Sequence, residues 1–246
     1  MTKKFGFTLA EVLITLGIIG VVAAMTIPTL IANTNSAKFG SQFKKTLSTL
    51  GQAGLMAQAQ YDLDYALVSG TCAGSNDNPD SNSTFCAIFN ATLSGATYVP
   101  LLTDLKAKDG ANYDIQRDDG LTDPDADAYS GYVLADGSLI AFRGLARNCT
   151  LPIGTTVESF LATNEGKYCV GFIDVNGVTP PNKTVKCGGT ASTALRTANN
   201  TCGVPKDATH TTDIYPVVFH DTTVEPASNA AMAVLSGRTA GSGSGS

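Results

Sequence analysis

Between Phe7 and Ala32 the chain is almost wholly apolar and carries a single ionisable side chain, Glu11. A helix of about 26 residues at 1.5 Å per residue is roughly 39 Å long, enough to cross a hydrocarbon core of about 30 Å with some tilt. The segment can therefore span a membrane. Lys3 and Lys4 stand just before it, so the positive-inside bias places the N-terminus in the cytoplasm and everything after residue 32 on the far side. All six cysteines, Cys72, Cys86, Cys149, Cys169, Cys187 and Cys202, lie after the apolar run, as disulfides formed in an oxidising compartment require. No pair has C-x-x-C spacing, which weakens zinc and thioredoxin-like readings. Of the many connectivities open to six cysteines, neighbour pairing (72 with 86, 149 with 169, 187 with 202) closes a local loop each time and is the working expectation.

Two residues do not suit a plain anchor. A carboxylate at Glu11 costs a few kcal/mol in lipid, and Pro28 removes a helical hydrogen bond near the far end of the run. The residues around them, Lys3-Lys4-Phe5-Gly6 followed by Phe7-Thr8-Leu9-Ala10-Glu11-Val12-Leu13, resemble the processing motif shared by type IV prepilins and type II secretion pseudopilins. The resemblance implies that a prepilin peptidase cuts between Gly6 and Phe7 and methylates the new N-terminus. It also supplies a reason for Glu11: a carboxylate in lipid needs a cation, and the Phe7 ammonium of a neighbouring subunit is one, which would set subunit register. A helix breaker near Pro28 is common in that family. With Gly17 and Gly20 upstream, the segment from Gly20 to Pro28 could unwind when the subunit enters a filament. Two other readings are an uncleaved anchor and an ordinary secretory signal, Met1 to Ala24 with cleavage after Val22-Ala23-Ala24. Glu11 and the length of the apolar stretch both count against the latter.

Beyond the span, Phe39, Phe43, Leu47, Leu50, Gly54, Ala57 and Tyr61 recur at steps of three and four, a helical stripe. A continuous helix from Phe7 to about Leu67 would be roughly 90 Å long; the alternative is two helices broken at Pro28. From Ser69 to Ser83 the composition turns to Gly, Asn, Asp and Ser around Cys72, a loop pinned by a disulfide. Strand signals follow at Ala96–Leu102, at Gly131–Phe142 as a hairpin turning on Asp136-Gly137, at Tyr168–Val175, and at Ile214–His220, where Pro216 suggests a sheet edge. One long helix followed by antiparallel strands gives an α+β class: a pilin-like long N-terminal helix packed on an antiparallel sheet, with disulfide-pinned loops in the head. The expected divisions are a leader at 1–6, the transmembrane and assembly half of the stalk at 7–32, its amphipathic half at 33–67, a globular head at 68–235 and a flexible Gly-Ser tail at 236–246.

A second resemblance lies in the head. Asp174-Val175-Asn176-Gly177, Pro181-Asn182 and Asp213 look like the D-x-N-G…P-N…D pattern of many pseudopilin and minor-pilin heads, although the segment 183–212 between its parts is long and contains Cys187 and Cys202. The resemblance implies Asp174, Asn176 and Asp213 as hard oxygen donors for calcium; the plainer reading is turn chemistry. The cluster Asp118, Asp119, Asp123, Asp125 and Asp127 fails as an EF-hand, because Ala128 stands at the glycine position and Leu134 at the bidentate-Glu position. It reads as a solvated loop. Four Asn-x-Ser/Thr sequons, at Asn82, Asn90, Asn148 and Asn182, carry no weight, because the motif is short and the prepilin resemblance implies a bacterial chain.

A formal charge of −5 without a long basic run leaves little electrostatic hold on nucleic acid. The chain has two histidines, His210 and His220, and no H-E-x-x-H, G-x-S-x-G, Walker A or dinucleotide motif. Taken with these absences, the prepilin resemblance implies a non-enzymatic homopolymer subunit of a type IV pilus or pilus-like filament, handled by a prepilin peptidase and an inner-membrane assembly platform. It requires no cofactor, with calcium the one candidate ion. It would sit as a single-pass inner-membrane protein before assembly and in an extracellular pilus or periplasmic fibre afterwards. A type II secretion pseudopilin and a pilus-associated adhesin or binding module are the alternatives.

Overall fold

The computed structural model describes residues 8–106, 113, 129–143, 145–188, 195–198, 202–205 and 211–238. The leader with Gly6 and Phe7, the acidic cluster Asp118–Asp127, His210 and the tail beyond 238 lie outside the described residues.

Helix α1 (Leu9–Tyr61) is one element of 53 residues, about 80 Å of helix. Thr8 caps it: its hydroxyl accepts from the Glu11 backbone N–H while the Glu11 carboxylate accepts from the Thr8 backbone N–H, a reciprocal capping box. The helix is unbroken through Gly17, Gly20 and Pro28, so two separate helices do not form. Thr15, Thr26 and Thr34 fold their hydroxyls back onto carbonyls one turn earlier, which hides those polar groups within the apolar half. α1 ends six residues before Leu67, because Asp62 turns left-handed (φ 54°) and sends its N–H back to the Ala57 and Gln58 carbonyls. Asp64 then caps a short 3-10 turn, Tyr65–Leu67.

Strand β1 (Ser69–Thr71) leads through a Cys72–Cys86 loop to helix α2 (Phe85–Thr92), and then to β2 (Thr97–Val99), β3 (Tyr129–Val133), β4 (Leu139–Arg143) and β5 (Leu145–Arg147). Short helices α3 (Val157–Leu161) and α4 (Asn164–Tyr168) precede β6 (Val170–Asp174). Strands β7 (Ile214–His220) and β8 (Thr223–Pro226) and helix α5 (Asn229–Ser236) close the head. Six strands form one antiparallel sheet in the order β2-β3-β4-β6-β7-β8, and β1 pairs with β5 apart from it. Alternation along β4 shows the layering: Ile140 and Phe142 join the main core with α1 and α2, while Leu139 and Ala141 join a second cluster under Leu102, Tyr113 and Phe172.

The stripe on α1 is the seam between stalk and head. Phe43, Leu50 and Ala57 are fully buried; Phe43 stacks on Tyr215 at 4.4 Å, and the buried Tyr65 donates its hydroxyl to the Leu50 carbonyl at 2.7 Å. Above this seam, Phe85, Phe89, Phe142, Phe219 and Tyr65 form an aromatic cluster with centroids 5.0–6.3 Å apart. Such spacings favour tilted and edge-on packing.

Several expectations are corrected in detail. The hairpin turn is longer than Asp136-Gly137 alone: Val133 pairs with Leu139, the Leu134 carbonyl accepts from Gly137 N–H, and Gly137 takes φ +85°. The 96–102 strand shrinks to three residues and passes into a 3-10 turn at Leu102–Asp104. The 168–175 strand starts later because Thr163 caps α4. β7 is an inner strand despite Pro216. The Pro216 carbonyl accepts from Ala227 N–H, so its hydrogen-bonding edge faces the β8 side just past the last ladder pair, Val217 with Pro226, where a missing N–H costs little.

The three disulfides join Cys72 to Cys86, Cys149 to Cys169 and Cys187 to Cys202. Within the inserted segment, Leu195 bridges to Ser228, Arg196 N–H donates to the Ala227 carbonyl, and the Arg196 guanidinium bonds Glu158 and Glu225, each at 2.6 Å. Arg196→Met would leave two facing carboxylates without their cation. It is expected to destabilise the head by ~1–3 kcal/mol, read as a lower melting temperature at neutral pH.

Candidate functional site

Two places could carry function: the projecting half of α1, and the group of carboxylates at the end of the sheet. The first is defined by what does not cover it. Leu9, Leu13, Ile14, Leu16, Ile18, Ile19, Met25, Leu30 and Ile31 are all more than half exposed, and none of the most apolar window is buried in the chain. An apolar surface of this length is stable only in lipid or against other apolar helices. Glu11 lies at its tip, and both side-chain bonds to Thr8 use Oε2 at 2.8 Å. Gly20 and Pro28 lie within the same exposed run; Gly20 has open space where a Cβ would stand.

At the second place the D-x-N-G, P-N and D residues come together across the long insertion. β6 ends at Asp174 and β7 begins beside Asp213; both are buried. Asp174 Oδ2 accepts from the Tyr113 hydroxyl at 2.6 Å, and its Oδ1 accepts from Asn176 N–H, the turn chemistry the motif suggests. Gly177 is left-handed (φ +60°) and packs so closely on the Gly137 carbonyl that a Cβ would collide with it, which is why glycine follows the asparagine. Asp213 Oδ2 accepts from Asn182 N–H at 2.9 Å and Oδ1 from Lys183 N–H at 2.7 Å. The Asn176 amide donates to the Thr179 carbonyl at 2.8 Å. The Asn182 amide, with its nitrogen turned inward, donates to the Thr179 and Gly177 carbonyls at 3.0 Å.

All four carboxyl oxygens and the nearby carbonyls therefore have donors from within the chain. Among the described polar atoms of this group, Asn176 Oδ1 alone is buried without a hydrogen-bond partner. Calcium takes roughly six to eight oxygens; here each of the four carboxyl oxygens accepts one N–H or O–H bond from within the chain. Burial pushes the Asp174 carboxyl up to about 8, helped by the charge of Asp213; burial also pushes Asp213 up to about 6 against the hydrogen bonds from Lys183, Asn182 and Asn176. Near neutral pH the pair thus keeps a proton on Asp174, and burial together with these carboxylates holds the Tyr113 and Tyr215 hydroxyls un-ionised.

The sign of the pH dependence follows. The unfolded chain releases these protons near pH ~4, whereas the folded head holds them to higher pH. Stability from the pair is full below that range and is lost as pH rises through about 6 and about 8. Asp174→Asn, which cannot ionise, is expected to flatten the melting-temperature profile across this window. At alkaline pH it should melt several degrees above the parent, corresponding to ~2 kcal/mol.

His220 is buried between Asp221 (3.1 Å) and Glu225 (3.6 Å, an ion-pair rather than hydrogen-bond distance). Burial works to lower its pKa, but the two carboxylates outweigh it and the imidazole sits above its ordinary value. It is a member of the Arg196–Glu225 charge group. Asp77, beside the Cys72–Cys86 disulfide, accepts from Ala73 N–H and from the Asn82 and Thr84 side chains, which locks that loop. A disulfide offers no thiolate to a metal.

Tyr113 and Arg196 were not singled out by the sequence. Each lies in a polar stretch with no periodic neighbours, and only the tertiary structure brings one to Asp174 and the other to Glu225.

Residues 1–27 match the family model described as the prokaryotic N-terminal methylation motif. No curated protein and no solved structure matches the chain. The match covers Lys3, Lys4, Gly6, Phe7, Glu11 and the first turns of α1, and continues into a bare apolar helix carrying an antiparallel, disulfide-bonded α+β head. Over residues 1–27 this chain bears the signature of type IV pilin and pseudopilin precursors, joined to a head of pilin-like α+β architecture.

Proposed function

We propose that the protein is a structural subunit of a type IV pilus or pilus-like filament. A prepilin peptidase cleaves it after Gly6, and an inner-membrane platform polymerises it through α1. The observation that carries this reading is the continuity of the methylation motif with an apolar half-helix that no other described part of the chain covers. In lipid that surface is satisfied by acyl chains, and in a filament by the same surface of other subunits, so a subunit can move from one to the other without exposing it to water. A head with three disulfides, one of them pinning the 183–212 insertion, suits a fibre exposed outside the cell. The head's work in this reading is packing, and no catalytic step is assigned to it.

The Asp174–Asp213 group, in the same reading, is a proton-closed lock that ties the insertion to the sheet. Adding calcium or EGTA to the purified protein is expected to leave its melting temperature unchanged, and a rise with calcium would contradict the lock. The filament reading is tested by fractionation from a host with a pilus machine. Recovery in sheared surface filaments supports it, whereas retention in the periplasmic and membrane fractions places the chain with pseudopilins.

A further inference from the structure

Ile153 is the most exposed large apolar side chain among the described residues, fully open to water. It is not on a loose end. Thr155 closes a turn around it, its N–H and its hydroxyl donating to the Pro152 carbonyl at 3.0 and 2.6 Å, and Gly154 takes φ +82°. The Cys149–Cys169 disulfide fixes the loop on one side and the buried Val157 of α3 on the other. Cys149 N–H donates to the Tyr65 carbonyl at 3.3 Å and the Thr150 hydroxyl to the Ala66 carbonyl at 3.4 Å, so the loop leaves the head beside the 3-10 turn that follows α1. That turn presents Leu67, also more than half exposed, and Asp64 Oδ1 fixes it by accepting the Leu67 N–H at 3.2 Å. A lone exposed apolar residue is ordinary, but two carried on adjoining fixed turns make a patch of the kind that marks a contact surface. The result is an apolar knob at the end of the head where α1 stops, away from its apolar half.

A hollow of matching character lies elsewhere on the molecule. Between α1, the β7–β8 turn and α5 runs an open groove of about 500 Å³, lined by Lys44, Leu47, Gly51, Leu55, Val224 and Leu235, among others. Leu55 is more than half exposed, and nothing lies within 4 Å of a Cβ placed on Gly51, so the groove has room along the helix. Lys44, at the end nearer the apolar run, is exposed and enters no ion pair among the described residues. Gly51 stands ten residues before Tyr61, so the groove lies at least about 15 Å back along the helix from the knob, and a chain's knob does not fill its own groove.

We infer that this groove takes the Leu67–Ile153 knob of a second copy of the chain. Knob and groove are different surfaces, so the contact is heterologous: each copy offers its groove to one neighbour and its knob to another, and repetition gives an open fibre rather than a closed dimer. Charge fits the same pairing. The exposed Asp62 and the turn-capping Asp64 flank the knob, and they arrive beside Lys44 of the copy that receives it. The displacement between knob and groove steps neighbouring copies along the stalk while leaving most of each α1 alongside the other. The contact names the head-to-head partner surface within the filament, and it rests on the filament reading.

The test is disulfide trapping in filaments of the full chain, sheared from a host with a pilus machine. Leu55→Cys/Ile153→Cys puts one new thiol in the groove and one on the knob. After mild oxidation with diamide and denaturation without reductant, a ladder of covalent dimers, trimers and higher species is expected, because every link joins a knob to the next groove. Either single variant is expected to remain monomeric. Both positions are exposed, so all three variants are expected to melt as the parent does, which separates a lost contact from a misfolded head. Ile153→Asp, which carries a carboxylate into the apolar groove, is expected to lower the yield of sheared filament about 10-fold or more. Filaments in which the double variant stays monomeric, covalent dimers from Ile153→Cys alone, or an undiminished yield from Ile153→Asp overturn the inference and leave the filament reading standing. A parent chain that is cleaved after Gly6 yet yields no filament overturns both.

Discussion

Glu11→Leu is expected to abolish filament formation while leaving the chain inserted in the membrane. In the isolated chain the carboxylate acts only through Thr8, in a capping box at the exposed start of α1. Loss of the cap therefore frays one turn and does little else. Removing a carboxylate from lipid also favours insertion, so the membrane-bound precursor should accumulate at or above parental levels. Assembly is where the account puts the cost. A neighbouring Phe7 ammonium buried without its partner loses about 3–5 kcal/mol, more than ~100-fold in the equilibrium for adding a subunit. Glu11→Gln separates the two roles, because a glutamine can still accept from Thr8 but carries no charge. Gln behaving like Leu in a shear assay supports the ion pair; Gln assembling like the parent shows that capping alone matters and sinks the register role.

The second large effect is at Gly54, where local propensity and tertiary packing give opposite signs. Replacing a mid-helix glycine with a residue that has a side chain ordinarily gains up to about 1 kcal/mol. At Gly54, however, a Cβ would lie 2.7 Å from the Tyr65 ring and 2.9 Å from the Thr222 carbonyl, so α1 touches the β7–β8 turn by backbone there. Neither neighbour can yield, since Tyr65 is fully buried and tied to the Leu50 carbonyl. Gly54→Val is expected to destabilise the head by ~3 kcal/mol or more through overpacking. Gly51, one turn away, has nothing within 4 Å of a Cβ, and Gly51→Ala is expected to stabilise by ~0.5–1 kcal/mol. Thermal melts of the two variants decide the matter; destabilisation by both, or by neither, contradicts the packing described for the seam.

How much of this was legible in the sequence depends on the range of the interaction involved. The stalk was legible because its signals are local and repeated: an apolar run long enough to span, and a stripe from Phe39 to Tyr61 that selects one face. Its end was misjudged by six residues because Asp62, a single left-handed residue, overrides the continuing apolar pattern at Leu63 and Leu67. The β3–β4 hairpin showed through its Asp-Gly turn, but the turn's type depends on Leu134 and Ser138, which no dipeptide rule includes. Pro216 misled because an edge position is only one way to tolerate a missing N–H; β8 ending opposite it is another. α2 and α5 went unread although Thr84 and Ser228 cap them, because each is short and lies beside loop-like composition. In the carboxylate group, Asp174, Asn176 and Asp213 were named, but the donors that fill their oxygens, Tyr113 O–H and Lys183 N–H, arrive from distant segments. The difference between a metal site and a hydrogen-bonded lock lies in those donors, and that is why the sequence left both readings open.

The most direct test of the account is the intact mass and N-terminal sequence of the protein recovered from its host's membrane and sheared-surface fractions. The account expects a chain that lacks Met1–Gly6, begins at N-methylated Phe7 and carries its six cysteines as three disulfides. A chain that begins at Met25 contradicts it, because the apolar half of α1 would then be a discarded signal and the head a free secreted domain.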